Sequence, residues 1–297
     1  MDIFIQQLAN AIVVGSFYSL IALGYSMVYG IIKLLNFAHG DLYMVGAFAG
    51  FTVLSLFTGE TGVLGIAAAF LAAMLVTGLL GIGIERVAYR PLLSSSRLTI
   101  LITAVGVSLV LENGVMLSYG PSFKVFPAQL PISGFQLAGA TITYSQIGLI
   151  LISVLLMVGL QWFVNGTLYG KAMRAIAIDQ TATSLMGIPV HRIISLTFFI
   201  GSALAAAAGM MAGLYYGQIN FLMGFIVGLK AFTAAVIGGI GSIPGAMLGG
   251  LVLGVLETFG TVYAGGEWKD VFAFAILILI LTLKPTGLLG EKVTERM

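Results

Sequence analysis

Apolar stretches of about twenty residues follow one another along almost the whole chain. That succession limits the folding more than any single motif does. A hydrocarbon core about 30 Å thick is crossed by roughly 20 apolar residues in an α-helix. About nine stretches qualify: 9–31, 38–57, 62–84, 97–118, 146–164, 193–216, 222–240, 243–264 and 268–284. Their apolar residues run continuously instead of alternating with period two, so strands are not expected. Stretches 38–57 and 222–240 are interrupted by glycine, which predicts broken or re-entrant helices and leaves the count at eight or nine. The chain is 59% hydrophobic and 8% charged, with mean hydropathy +1.10, whereas a soluble domain is about a quarter charged. Lipid is therefore the expected main solvent. The expected fold is all-α, a polytopic transmembrane helix bundle forming a single domain over residues 1–297.

Basic residues set the orientation. Arg86, Arg90 and Arg97, then Lys171, Arg174 and Arg192, then Lys284, Lys292 and Arg296 fall on one side if about nine spans alternate, and that side is expected to be cytoplasmic. The N-terminus and the Pro/Gly-rich loop 119–144, with a β-like end in "FQLAGATITY", then lie outside. The opening "MDIFIQQLAN" has no basic n-region, so a cleaved signal peptide is not expected. The small, dispersed net charge of +2 points away from nucleic acid as a partner. With no cysteine in the chain, metal–thiolate centres are excluded.

Two short motifs echo each other. "NFAHG" (36–40) follows the first span and "NFLMG" (220–224) the sixth, each after a Tyr-Gly pair, Tyr29-Gly30 and Tyr216-Gly217. Five spans between them would make the copies run oppositely, the mark of an inverted repeat with broken helices. In the first copy Asp41 can cap the following helix, with Gly40 as a flexible joint. Alternatively Asn36, Phe37 and His39 line a translocation path and hydrogen-bond a zwitterion. Lys33 nearby places the segment close to the cytoplasmic surface and favours the structural reading. In the second copy Asn220 and Phe221 take the corresponding places. Glycines at helical spacing, Gly209/Gly213/Gly217, Gly245/Gly249 and Gly250/Gly254, suit close helix packing.

No catalytic constellation is visible. His39 and His191, the only histidines, lie far apart in the chain. "GTLYGKA" (166–172) fails as a phosphate-binding loop, because Asn165 stands where the first glycine is required and Ala172 where Ser or Thr is needed. A charge at the centre of a spanning helix costs at least ~2.5–3.5 kcal/mol. Glu112, Lys230 and Glu257 are the deepest by sequence, with both glutamates expected near outer ends, a pattern too sparse for an ion-driven carrier. Lys230, three residues before Thr233 in "GFIVGLKAFTAAVIGG", can meet a substrate carboxylate, satisfy carbonyls at a helix break or snorkel.

Between Val164 and the sixth span lies "YGKAMRAIAIDQTATSLMGIPVHRI" (169–193). Its alanine content predicts a short helix over 170–189, opened by Gly170 and closed by Gly187 and Pro189. Ile178, Ala182 and Leu185 form an apolar stripe, and Lys171, Arg174 and Asp179 a polar remainder. Such a helix either rests on lipid headgroups or docks a cytoplasmic partner.

That segment, "NFAHGD", "ERVAYRPL" (85–92), 228–254 and "KDVFAFAILILILTLKPTGLLG" (269–290) together resemble the LivH-type permease of ABC-type branched-chain amino-acid importers. The resemblance runs over nearly the whole chain. It implies a multi-pass subunit of the bacterial inner membrane that is not itself an enzyme. The implied partners are a homologous second permease, two cytoplasmic ATPases that use the ATP, and an extracytoplasmic amino-acid-binding protein. No cofactor is implied for this chain. The resemblance makes 169–192 the coupling segment, with Gly170 and Gly187 setting its ends, Pro189 stiffening its exit, Ala182 on its stripe, and Arg174 and Asp179 pairing with partner charges. The pathway or hinge candidates are Asn36, Phe37, His39, Gly40, Asp41, Asn220, Phe221, Lys230 and Thr233. The alternative is an ion-coupled carrier or channel for small amphipathic solutes.

Overall fold

In the computed structural model, residues 2–56, 62–93, 95–128, 130–131, 133–137 and 139–290 are described. Lys292, Arg296 and the end of the 38–57 stretch lie outside them. Each of the nine apolar stretches falls on a helix: α1 (Asp2–Ile32), α2 (His39–Leu56), α3 (Val63–Ile84), α4 (Arg97–Tyr119), α5 (Tyr144–Gly166), α8 (Val190–Tyr216), α9 (Met223–Gly238), α10 (Ile243–Ala264) and α11 (Lys269–Leu283). Two further helices, α6 (Leu168–Ile178) and α7 (Gln180–Leu185), occupy the segment before α8. The described residues also include four short strands: β1 (Lys124–Val125), β2 (Gly134–Leu137), β3 (Ala140–Thr143) and β4 (Gln218–Ile219).

Among the described residues, six helical stretches are long and apolar enough to cross a membrane: Ile3–Ile32, Val63–Leu92, Leu98–Tyr119, Tyr144–Gly166, Val190–Tyr216 and Ile243–Ala264. The remaining three are shorter. α2 has 18 residues, α9 has 16 and α11 has 15, which at 1.5 Å per residue is about 27, 24 and 22 Å, less than the roughly 30 Å hydrocarbon thickness.

α1 and α8 form the buried centre, while α3, α4 and α5 turn much of their apolar surface outward. α10 packs along α1 through Gly250 and Gly254, against Ser19 and Gly15, and along α9 through Gly249 and Gly245, against Ala234 and Gly238. The glycine spacings read from the sequence are thus helix contacts on two faces of α10.

One end of the bundle, here the upper, carries the start of α1. There the Thr141 amide donates to Gln6 Oε1 at 2.9 Å and Gln146 Nε2 to Asn10 Oδ1 at 2.9 Å. β2 and β3 form an antiparallel hairpin at this end, as the β-like sequence of the loop suggested, and β1 pairs with β4 just after α8. The lower end gathers the close of α3, the start of α8 and the close of α9. Here α3 passes into a π-helical turn, Glu85–Tyr89. Glu85 is buried and takes both Arg90 Nε at 2.9 Å and Nη2 at 2.8 Å, while Ser195 Oγ of α8 donates to it at 2.7 Å. After α11, the Leu288 and Leu289 amides donate to the Ile237 and Gly238 carbonyls at 2.8 and 2.9 Å, closing the end of α9.

Candidate functional site

Both Asn-Phe-x-x-Gly motifs open a helix in the same way. The His39 amide donates to the Asn36 carbonyl at 3.0 Å, and the Met223 amide to the Asn220 carbonyl at 3.2 Å, so α2 and α9 each begin three residues after their asparagine. The preceding helices end differently. Gly217 takes φ 69° and stops α8 at once, whereas α1 runs past Gly30 until Lys33 adopts φ 53°. That is why the spacing from Tyr-Gly to Asn differs between the copies.

The motif glycines are where the two short helices meet. A Cβ on Gly40 would stand 2.5 Å from the Gly224 carbonyl oxygen and 2.5 Å from Gly228 Cα. This crossing lies deep. The His39 ring fits against Gly24 of α1 and Gly201 of α8, and Gly201 is about 16 Å along α8 from its lower start. Asp41 faces Ser108, half-way along α4. The segment after Lys33 therefore turns back into the bundle. Only Lys33 itself is exposed, and Asn36, His39 and Asp41 are buried. The surface location expected from Lys33 is corrected to the interior, because the left-handed residue reverses the chain direction.

Asp41 does not cap α2. The helix starts two residues earlier, at His39, and Asp41 sits in its first turn with neither carboxylate oxygen hydrogen-bonded among the described residues. Asn36 Oδ1 accepts the Tyr89 hydroxyl at 2.6 Å, so the π-helical turn anchors the first motif. Phe37 packs on Phe232 at 6.1 Å between ring centroids, Phe221 packs beside the Phe48 and Phe126 cluster, and Asn220 Oδ1 accepts the Leu222 amide at 2.7 Å. Thr233 returns its hydroxyl to the Leu229 carbonyl at 2.9 Å.

Above the crossing is a chain of four charges. Lys269 Nζ lies 2.9 Å from Glu257 Oε1, Lys230 Nζ lies 3.2 Å from the same oxygen, and Lys230 Nζ lies 2.6 Å from Asp270 Oδ1. The Tyr18 hydroxyl donates to Glu257 Oε2 at 2.7 Å. Lys230 and Glu257 are 3% and 2% exposed, so Glu257 is not water-washed as its position in α10 suggested. Lys230 neither snorkels nor meets helix-break carbonyls; it is held by two carboxylates. Lys230, Lys269 and Asp270 border a cavity of about 320 Å³, lined by α1, α2, the end of α8, α9 and the start of α11. Among the pathway candidates Lys230 lines it. Tyr18, Glu257, Lys269 and Asp270 join it through the fold, and a sequence gives no sign of partners so far apart.

The segment before α8 departs from the single helix expected over 170–189. Asp179 adopts an extended backbone and breaks it into α6 and α7, its Oδ1 accepting the Ala182 amide at 2.9 Å as an N-cap. α6 starts at Leu168, with the Gly170 amide donating to Thr167 Oγ1 at 3.1 Å, so Gly170 is inside the first turn and not at the end. Arg174 Nη1 donates to the Val164 carbonyl and to Asn165 Oδ1. Arg174 and Asp179 are thus engaged within the chain. Gly187, at φ 81°, closes α7, and Pro189 caps α8. An apolar stripe is among what projects outward: Ile178 is 88% exposed and Leu185 84%, with Ala182 exposed between them.

Residues 7–281 match the family described as the permease component of the branched-chain amino acid transport system. The chain belongs to this family. It is 49% identical to the high-affinity branched-chain amino acid transport system permease protein BraD of Pseudomonas aeruginosa, over 99% of this chain and 98% of that protein. It is 46% identical to LivH of Escherichia coli, with the same coverage. LivH of Methanocaldococcus jannaschii, described as a probable branched-chain amino acid permease, is 27% identical over 95% of this chain and 91% of its own. The match does not favour the ion-coupled carrier or channel, and the apolar helices of the permease make it a multi-pass membrane protein.

Proposed function

We propose that this permease is a membrane-spanning subunit of an ATP-binding-cassette importer that carries branched-chain amino acids into the cytoplasm across a bacterial inner membrane. The observation that carries the reading is similarity over nearly the full length to permeases of such systems. Residues 1–297 act as one transmembrane domain with a homologous permease subunit beside it, two ATPases that hydrolyse ATP, and a binding protein outside. The chain uses no cofactor of its own.

Sidedness follows from charge. Lys33, Arg86, Arg90, Lys171, Arg174, Arg192 and Lys284 gather at the lower end, against Lys124 and Lys269 at the upper, which makes the lower end cytoplasmic and turns loop 119–144 toward the binding protein. The nine apolar helices form two oppositely oriented halves. The shared start of α2 and α9 and the meeting of Gly40 with Gly224 support that inverted repeat. In this reading α2 and α9 are re-entrant half-helices, and their crossing, with Asn36, Phe37, His39, Asp41, Asn220 and Phe221 around it, is the hinge of an inner gate. Thr233 stiffens α9 below it. The α6–α7 elbow seats the ATPase through Ile178, Ala182 and Leu185, while Gly170, Arg174, Asp179, Gly187 and Pro189 hold its shape.

Membrane vesicles containing the complete importer should take up leucine when ATP and the binding protein are supplied, and omission of this subunit should abolish uptake. Leucine accumulation by the lone chain in liposomes, driven by an ion gradient, would refute the reading. The double substitution Ile178→Asp and Leu185→Asp should leave the subunit inserted and remove the ATPase from the purified complex.

A further inference from the structure

Resting on the importer reading, we propose that the cavity above the half-helix crossing is a subsite for an aliphatic α-amino acid, bound by exchange of partners within the four-charge chain. The carboxylate takes Lys230 and Lys269, the ammonium takes Asp270, and the side chain lies against Val14, Phe17, Ile226 and Val227.

The chain Lys269–Glu257–Lys230–Asp270 alternates in sign and sums to zero. Ion pairs buried at membrane depth contribute little net stability, because desolvation offsets most of their attraction. A neutral apolar filling would hold α9, α10 and α11 together at least as well, so these four charges call for a use. Their arrangement supplies one. Lys230 is buried, whereas its partner Asp270 has a side chain 52% exposed at the cavity mouth. Opening that contact costs one pair, and a zwitterion restores it twice, offering an anion to Lys230 and a cation to Asp270. A carboxylate alone leaves Asp270 without its cation, and an ammonium alone leaves buried Lys230 with Glu257 as its remaining partner. Glu257 stays held by the Tyr18 hydroxyl, so the cage keeps its shape during the exchange.

The remainder of the lining fits the other end of such a solute. Val14, Phe17, Ile226 and Val227 form an apolar wall. The volume of about 320 Å³ is at the small end of ligand pockets and suits a single amino acid better than a peptide. Tyr43 and Met223 complete the lining, and Met223 adjoins Gly224 of the crossing.

The natural absence of cysteine allows a clean test. Ile226→Cys places one thiol in the lining of the assembled importer, and Met223→Cys supplies a second reporter if the first fails to assemble. Labelling by a small maleimide is followed without the binding protein. Leucine at about 10 mM, roughly ten times a millimolar Kd, should slow labelling about ten-fold. 4-Methylpentanoate and isopentylamine, each lacking one charge, should not, and Asp270→Asn should remove the protection. Equal protection by either analogue overturns the subsite, as does unchanged labelling at about 100 mM leucine. If the unsubstituted importer carries leucine with ATP and receptor, the importer reading survives that result. Failure of uptake with every partner present overturns the importer reading, and the subsite with it.

Discussion

Substituting Gly40 by alanine tests the half-helix crossing at its tightest point. The added methyl would meet Gly224 O and Gly228 Cα, each at 2.5 Å, and Gly228 N at 3.1 Å. Non-bonded heavy atoms rest at about 3.5–4.0 Å, so α2 and α9 must part by about 1 Å. All three obstacles are backbone, so no side chain can rotate away, and the cost belongs at the upper end of the range for overpacking, about 3 kcal/mol. Gly30→Ala is the matched control. Its methyl would find nothing closer than Gly241 O at 3.7 Å, and within α1 alanine gains roughly 0.5–1 kcal/mol over glycine. The two variants should therefore separate by about 3–4 kcal/mol. Heating the detergent-solubilised protein and following the monodisperse fraction by size exclusion reads the difference as a midpoint lowered by Gly40→Ala and unchanged or raised by Gly30→Ala. Equal midpoints would show that the helices are not locked at this glycine, and the argument for a tight central crossing would fail.

Removing the Tyr89 hydroxyl with Tyr89→Phe takes from Asn36 the partner of its Oδ1, in a residue whose Nδ2 already has none among the described residues; thermal stability should fall by about 1–3 kcal/mol. Gly187→Ala must hold a side chain at φ 81°, costing about 1–2 kcal/mol, and uptake should be reduced but measurable. Gly187→Pro cannot adopt that angle and loses the amide donated to the Ser184 carbonyl at 3.0 Å, so uptake should vanish while membrane insertion, followed by blotting, persists.

Apolar length and continuity place every long helix, because the bilayer leaves the chain few other options. The Asn-Phe-x-x-Gly pair was readable as well, since a break three residues before a helix is local chemistry. Depth was not. Lys33 suggests a surface, and only the left-handed turn it adopts sends Asn36–Asp41 back into the bundle. Asp179 looked like one more polar residue in an alanine-rich helix. Its taste for an N-cap, which splits that helix, shows once the backbone either side is known. The joining of Lys230 to Glu257, Asp270 and Tyr18 spans most of the chain and leaves no mark on any short window of sequence.

The pairing of β1 with β4 joins the 119–144 loop to the short segment between α8 and Met223, with Lys124 opposite Ile219 and Val125 opposite Gln218. A pull on this loop is delivered at once to the head of α9, with almost no slack chain to absorb it. Whatever docks on the loop thus holds a handle on the same helix whose tail is pinned by Leu288 and Leu289, and the helix must answer as a stiff rod.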